Sequence, residues 1–303
     1  TPVPTATPSP APTAAATPTP EPSPASTPLP SAAPELDDAG RIRSVTLRQG
    51  SGDGYVALAA GSIRNSTEHT DADLRAAVTT QNLPFAVEKN SAQPQVLIMH
   101  THATESYQTW PDPVFDPGYT ARSKSTALNM CAVGEKMAQV LNAAGIRTLH
   151  DETLYDAPGY TDSYKRSRAG VQAYLERYPS IKVVLDVHRD AIGDESTVYK
   201  TCAAGSGMAQ VMLVCGTDEY LEHPLWRENL KLALAMQAAA VSANGALMRP
   251  IHLAPERYNQ QYTTGSLIIE VGTNGNTLSE ALAAAELFGR AAGEMLASLA
   301  APG

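Results

Sequence analysis

The sequence predicts an α/β protein of three layers, with a mostly parallel central sheet and helices on both of its faces. The first observation is that short apolar runs alternate with segments of helical periodicity from residue 95 onward. The second is that three of these runs, at 96–99, 183–187 and 267–269, lead directly into polar side chains that can bind metals. Because open α/β sheets bind ligands at strand ends, the fold class also predicts where a site lies.

The first 38 residues are predicted to be a disordered stalk. Residues 1–34 hold more than half of the 23 prolines of the chain and are otherwise nearly all Thr, Ala and Ser. Such a segment has almost no apolar surface to bury and favours an extended polyproline II chain, with a reach on the order of 100 Å. This composition fits a tether across a gap, and it fits an interdomain linker equally well.

Residues 39–92 are predicted to form a small N-terminal segment or strap, in which 43–48 alternate like a strand and 71–78 resemble a short helix. Residues 93–303 form the main domain. Its predicted elements are strand 95–100, a Pro-rich loop 110–118, helix 123–144, strand 146–149, helix 162–177, strand 181–187, hairpin 197–215, helix 225–243, strand 266–271 and helix 278–299.

Charge and hydropathy argue against several classes of protein. A net charge of −9 does not suit a surface that must neutralise nucleic-acid phosphates. The chain has no apolar run of about eighteen residues and no signal peptide, so we expect it, as given, to be a soluble, trimmed ectodomain. The cysteines lack zinc-finger spacing; Cys202 and Cys215 are expected to be buried thiols or, alternatively, a bridge across a hairpin.

The segment from His100 to Glu105, His-Thr-His-Ala-Thr-Glu, carries the densest set of candidate metal ligands. His102 and Glu105 form an H-x-x-E unit, in which a short turn can bring imidazole and carboxylate to roughly 2 Å from one metal ion. His100 is an alternative ligand. Alternation of side chains along a strand predicts that it shares a face with His102, where it would bind the metal or a neighbouring group.

Two more strand ends complete the predicted site. His188 ends the run 183–187, a predicted central strand where a buried polar group is costly unless a site satisfies it. With His102 and Glu105 it makes a His-Glu-His set with an open fourth position, the composition of a catalytic zinc site. Glu270 follows 267–269 and is predicted to be the general base; the alternative is a structural carboxylate paired with an arginine.

Further candidates lie next to these residues. Arg189 is a candidate catalytic residue that would polarise the scissile carbonyl or orient a carboxylate, and Asp190 would fix a ligand histidine. A structural ion pair at the strand end is the alternative for both. Tyr258, Asn259 and Gln260 are predicted to bind substrate, since amides and phenols suit saccharide and peptide groups; a solvated loop is the alternative.

Several motifs together resemble the stage II sporulation protein P family, over about residues 93–300. They are His-Thr-His-Ala-Thr-Glu-Ser-Tyr at 100–107, Leu-Asp-Val-His-Arg-Asp-Ala at 185–191, Tyr-Asn-Gln at 258–260, Ile-Glu-Val-Gly at 269–272 and Asn-Thr-Leu-Ser-Glu-Ala at 276–281. The resemblance implies that residues 93–303 are a catalytic domain related to the zinc N-acetylmuramoyl-L-alanine amidases. It implies a Zn²⁺-dependent peptidoglycan hydrolase that cleaves the amide between N-acetylmuramic acid and L-alanine during engulfment in endospore formation.

Two other functions fit the same residues. One is a zinc carboxypeptidase-like peptidase, which would need an arginine for a terminal carboxylate, and the other is a non-catalytic wall-binding scaffold, which would hold no stoichiometric zinc. The resemblance further implies a lytic transglycosylase partner of the stage II sporulation protein D type and a membrane complex. The family carries an N-terminal membrane anchor that this chain does not show, so we expect the full-length protein to be extracytoplasmic and membrane-tethered.

Overall fold

The computed structural model describes residues 40–78, 82–111, 113–157 and 159–299. The predicted stalk, residues 1–38, therefore lies outside the described residues. The elements in chain order are β1 (Gly40–Val45), β2 (Tyr55–Leu58), β3 (Gly61–Asn65), α1 (Asp71–Ala77), β4 (Val96–Met99), β5 (Val114–Phe115), α2 (Met130–Ala143), β6 (Thr148–His150), α3 (Ser163–Arg177), β7 (Val183–Asp190), β8 (Thr197–Ala203), β9 (Met208–Ala209), β10 (Val211–Gly216), α4 (Trp226–Ala243), β11 (Ile251–Ala254), a 3-10 turn (Gln260–Tyr262), β12 (Ser266–Thr273) and α5 (Leu278–Ser298).

An eight-stranded sheet forms the middle layer, in the order β2-β3-β11-β10-β12-β7-β4-β6. The strands β12, β7, β4 and β6 run parallel to one another, as do β3, β11 and β10. The pairs β10–β12 and β2–β3 are antiparallel. The sheet is thus mostly parallel, as predicted. The antiparallel contact between β10 and β12 joins two groups of parallel strands, β3-β11-β10 and β12-β7-β4-β6, which run in opposite directions.

Helices cover both faces of this sheet because the central strands are apolar on both sides. On one face, Ile98, Leu185 and Ile269 belong to a large core shared with α2, α4 and α5. On the other face, Leu97 and Val184 pack with residues of α3. The predicted three-layer α/β architecture is confirmed, and it is asymmetric: α3 covers the face on which the candidate site lies.

A second sheet of four strands, in the order β5-β1-β8-β9, lies outside the main one. Its first strand, β1, runs parallel to β8, with residues 41–45 paired to 197–201. The strands β2 and β3 instead join the edge of the main sheet through β11. The predicted N-terminal segment 39–92 therefore contributes strands to both sheets.

The helix predicted over 123–144 begins later, at Met130. Oδ1 of Asn129 accepts a hydrogen bond of 2.9 Å from the backbone N–H of Cys131, which caps the helix there. Residues before the cap form a loop against the candidate site instead, where the N–H of Ser123 donates to the carbonyl of Thr104 at 2.8 Å. Gly145, with φ of +85°, follows the helix end as predicted.

Among the described residues, no helix has the length and apolar character needed to cross a membrane. Cys202 and Cys215 both lie in described strands, and no disulfide joins them. Cys215 is buried, and burial raises the pKa of its thiol well above the usual range. The reading of Cys215 as an ordinary buried thiol therefore agrees with the structure.

Candidate active site

The three strands predicted to carry the site are neighbours, in the order β12-β7-β4. They run parallel, so the polar residues near their carboxyl ends meet at one edge of the sheet. Glu270 of β12 lies directly beside His188 of β7 in the register of the ladder. Because paired residues project from the same face, both side chains point toward the α3 side.

His100 and His102 do not share a face, contrary to the prediction from alternation. The strand β4 ends before His100, and residues 101–104 form a turn that redirects the chain. Nδ1 of His100 lies 2.8 Å from the carbonyl oxygen of Val187, and its Nε2 lies 2.9 Å from Nε2 of His150. Both ring nitrogens of His100 are thus engaged elsewhere, which favours His102 as the ligand.

His102 is packed among rings. Its imidazole stacks on Tyr160 with centroids 4.4 Å apart, and it meets Tyr164 and His188 edge-on at 5.5 and 5.3 Å. The residue is buried, and its Nδ1 has no hydrogen-bond partner among the described residues. Such a nitrogen is costly in a protein interior unless a ligand satisfies it.

Two carboxylates flank the imidazole of His188. Oε2 of Glu105 lies 3.7 Å from its Nδ1, and Oδ1 of Asp186 lies 2.8 Å from its Nε2, an ion-pair distance without the alignment of a hydrogen bond. A histidine that meets a carboxylate through one nitrogen can present the other to a metal, which is the common arrangement around catalytic zinc. The geometry therefore gives Nδ1 of His188 to the candidate metal position.

The carboxylates give the site a negative field. Burial lowers the pKa of His188, but the charges of Asp186, Glu105 and Glu270 outweigh burial and raise it to about 10. Burial, aided by the charge of His188, lowers the pKa of His102 to about 4. His102 is thus held in the neutral form that binds metals, and the field that keeps a proton on His188 would also attract a cation.

Glu270 has the surroundings of a poised acid or base. Burial raises its pKa to about 8, with the charge of Asp190 adding to this effect and that of His188 opposing it. Oε2 of Glu270 has no hydrogen-bond partner within the described parts of the chain. A carboxylate whose pKa lies near neutrality, and which has a free oxygen beside two candidate ligands, is suited to proton transfer.

Arg189 and Asp190 lie next to His188 but are engaged with other groups. Arg189 projects to the other face of β7, where Nε donates to the carbonyl of Ser106 at 3.0 Å and Nη2 donates to that of Ala121 at 3.2 Å. Asp190 forms an ion pair of 2.8 Å with Arg249. Arg189 thus connects the loops around Ser106 and Ala121. The carboxylate that contacts His188 is that of Asp186, not that of Asp190. The catalytic role of Arg189 stays a prediction.

Two of the three predicted substrate-binding residues hydrogen-bond to the protein's own backbone, and the substrate-binding role of all three stays a prediction. Gln260 is buried, and its side chain accepts from the N–H of Gly216 at 2.8 Å and donates to the carbonyl of Val214 at 3.0 Å. Asn259, with φ of +59°, donates to the carbonyl of Tyr164 at 2.8 Å. Tyr258 lies nearest the site, since its ring is 5.7 Å from that of Tyr164.

As they stand, no three His, Cys, Asp or Glu side chains in the described part of the chain are arranged to hold a metal ion. His102, Glu105 and His188 nevertheless fit zinc by their chemistry, with two imidazoles, one carboxylate and an unpartnered Nδ1. A tetrahedral ion with bonds of about 2.1 Å separates its donors by roughly 3.4 Å. The 3.7 Å between Glu105 and His188 is close to that value.

Some residues of the site were not found from the sequence. Asp186 lies inside an apolar run, where a buried carboxylate is costly, and that signal could have identified it. Tyr160 and Asp156 come from the irregular segment before α3, and Arg122 from the loop before α2. Arg122 forms an ion pair of 2.9 Å with Asp156 and lies 3.7 Å from Glu105. No periodic pattern marks these loop residues.

The fold and the site together define a three-layer α/β protein with a cluster of His and Glu near the carboxyl ends of three adjacent parallel strands. The family model for stage II sporulation protein P matches residues 56–292, so the chain belongs to this family. The resemblance seen in the motifs is thereby confirmed.

A curated relative is the stage II sporulation protein P of Bacillus subtilis (strain 168), which is 28% identical over 208 residues. The match covers 64% of this chain and 50% of that protein, so the chain spans about half the length of this relative.

Among solved structures, the N-acetylmuramoyl-L-alanine amidase AmiC2 of Nostoc punctiforme is 13% identical with a TM-score of 0.38, covering 69% of this chain and 96% of that one. The CwlD amidase from Clostridioides difficile, in complex with the GerS lipoprotein, is 13% identical with a TM-score of 0.41, covering 68% and 98%.

Proposed function

We propose that the chain is a zinc-dependent N-acetylmuramoyl-L-alanine amidase that removes stem peptides from peptidoglycan during engulfment. The single observation that carries the proposal is the buried, unpartnered Nδ1 of His102, which lies in one cluster with His188 and Glu105. Membership of the stage II sporulation protein P family supports the substrate class. In this proposal His102, Glu105 and His188 hold the metal, and a bound zinc ion would supply an activated water and polarise the amide carbonyl.

The protein's own groups have separate tasks in this reaction. Asp186 orients the imidazole of His188 through Nε2. Glu270 takes a proton from the attacking water and delivers it to the nitrogen of L-alanine as the amide bond breaks. The products are the lactyl carboxylate of the glycan strand and a free stem peptide. The raised pKa of Glu270 would fall again beside a bound cation, which would leave Glu270 ionised and able to act as a base.

The proposal includes a setting for the enzyme, which family membership supports. In this proposal the domain acts outside the cytoplasm, where peptidoglycan lies, and the proline-rich residues 1–34 act as a tether to a membrane anchor in the full-length protein. A lytic transglycosylase is the proposed partner, since glycan strands freed of peptides are suitable substrates for cleavage.

The experiment that tests the proposal separates the base from the ligands. Glu270→Gln keeps the shape of the side chain but removes the base, so zinc content should stay at wild-type level while release of stem peptides from purified sacculi falls by roughly 10²-fold or more. His188→Ala should lose zinc and activity together, because two protein ligands hold zinc poorly.

The matched control is Glu286→Gln, the same change at an exposed residue paired with Arg290 on α5, which should alter neither quantity. Near-normal activity of Glu270→Gln would make Glu270 a structural carboxylate. Loss of zinc from Glu270→Gln would make it a ligand. Intact sacculi also separate the proposal from a carboxypeptidase, because only an amidase releases whole stem peptides.

A further inference from the structure

The turn that carries His102 and Glu105 is held by two similar sets of hydrogen bonds, one at Thr101 and one at Thr104. A threonine precedes each of these residues in the sequence, Thr101 before His102 and Thr104 before Glu105. Neither His102 nor Glu105 lies in a helix or strand, and Glu105 forms only an isolated β-bridge with Arg122. Besides a few backbone hydrogen bonds to residues 121–123, their placement depends on what holds the two threonines.

Each threonine is bound by one buried aspartate through two hydrogen bonds. The N–H of Thr101 donates to Oδ1 of Asp186 at 2.7 Å, and its hydroxyl donates to Oδ2 at 2.6 Å. The N–H of Thr104 donates to Oδ1 of Asp156 at 3.1 Å, and its hydroxyl donates to Oδ2 at 2.6 Å. In both pairs, one carboxylate oxygen accepts a hydrogen bond from the backbone N–H of the threonine and the other accepts one from its hydroxyl.

Each aspartate also contacts a nitrogen-bearing side chain, which for Asp186 lies on the same strand, β7, and for Asp156 lies in the loop before α2. Oδ1 of Asp186 lies 2.8 Å from Nε2 of His188, and Oδ2 of Asp156 lies 2.9 Å from Nη1 of Arg122. The aspartates are 7% and 6% exposed, and a carboxylate so deeply buried is tolerated only when its oxygens are satisfied. Two well-satisfied carboxylates therefore leave the turn little freedom.

We infer that Asp186 with Thr101 and Asp156 with Thr104 are positioning residues that set the distances of His102 and Glu105 from His188. The inference rests on the proposed function, in which this turn carries two of the three metal ligands. Asp186 has a double role: it links the turn to β7 and orients His188 at the same time. Outer partners of metal ligands commonly contribute 10- to 100-fold to metal affinity.

The test replaces one hydroxyl at a time. Thr104→Val and Thr101→Val keep the shape of the side chain but remove the hydrogen bond to the carboxylate. Zinc affinity, measured by competition with a chromophoric chelator, should fall by about 10- to 100-fold in each. Thr104→Ser and Thr101→Ser restore the hydroxyl and should return to within a few-fold of wild type.

The matched control is Thr217→Val. Thr217 is also fully buried, and its hydroxyl donates to the carbonyl of Ala254 at 3.0 Å. It follows β10, which runs antiparallel to β12, so it lies toward the other edge of the sheet. Zinc affinity should be unchanged in this variant. Equal losses in Thr217→Val and in the two test variants, or a failure of serine to restore affinity, would overturn the inference.

A metal-free measurement keeps the inference independent of the proposed function. Amide hydrogen exchange over 101–105, recorded without metal, should speed up in Thr104→Val and Thr101→Val and stay at wild-type rates in Thr217→Val. If the wild-type chain bound no zinc, the proposed function would fall, and the exchange rates would still decide whether the two aspartates hold the turn. Unchanged exchange in both test variants would refute the inference.

Discussion

At the scale of single residues, the two histidines of the His-Thr-His segment differ more than their spacing suggests. His100 is fully buried with both ring nitrogens engaged, and burial together with the charge of His150 lowers its pKa to about 3. His102 keeps an unpartnered Nδ1 in the described structure. The two should therefore respond differently to substitution.

His102→Ala is expected to abolish stoichiometric zinc binding while leaving the fold intact, because the residue lies on a turn beside exposed Tyr160. His100→Ala is expected to keep zinc but to lower the free energy of unfolding by about 1–3 kcal/mol, since it leaves buried polar groups of Val187 and His150 without their partner. Elemental analysis and urea unfolding measure the two effects. The opposite pattern would make His100 the ligand.

The sequence allows His102, Glu105, His188 and Glu270 to be predicted because each follows or ends an apolar run. The roles of Asp186 and Asp156 could not be predicted in the same way. Both depend on contacts between segments 52 to 85 residues apart in the chain, which no local spacing reveals. The same is true of Arg189, whose direction depends on the strand β7 continuing through residue 190.

At the scale of elements, the helices and central strands could be predicted, and the short edge strands could not. β7 and β12 are apolar on both sides, so composition alone indicates buried strands. β2, β3 and β11 have four or five residues each and a mixed pattern. They form strands by pairing in series, β2 with β3, β3 with β11 and β11 with β10. Alternation failed after residue 99 because it predicts side-chain directions only as long as a strand continues.

The close packing of α5 on α2 gives a prediction at this scale. A Cβ built on Gly289 would lie 2.5 Å from Cγ2 of Val140, and the stiff valine has little room to move. Gly289→Leu should therefore lower the free energy of unfolding by about 1–3 kcal/mol through overpacking. Gly245→Leu is the control, because Gly245 is exposed and its Cβ would meet only an oxygen of Val241 at 4.0 Å. Urea unfolding of both variants measures the difference, and equal stability would contradict the packing described.

At the scale of the whole molecule, zinc should stabilise the fold because the proposed ligands come from two segments that are far apart in sequence. A ligand that binds only the folded state at about 100 times its Kd adds roughly 2.7 kcal/mol to the free energy of unfolding. Thermal unfolding with zinc, and again after removal with a chelator, should show a higher Tm with the metal. The His188→Ala variant should show no such rise, and an equal rise there would indicate binding elsewhere.

The stalk should contribute nothing to stability. Residues 1–34 have almost no apolar side chains to bury, so deleting them should leave the Tm of the remaining chain unchanged within error. Differential scanning calorimetry of the full and shortened chains measures this. A clear fall in Tm on deletion would mean that the segment packs on the domain.

The pairing of β1 with β8 has a mechanical consequence. A force applied to the chain before Gly40 and directed along β1 loads the parallel ladder of 41–45 with 197–201 in shear, so its hydrogen bonds share the load. Part of that load passes onward, because the hydroxyl of Thr273 on β12 donates to the carbonyl of Tyr199 on β8 at 2.6 Å. Tension applied to the chain before Gly40 is therefore transmitted to the strand that carries Glu270.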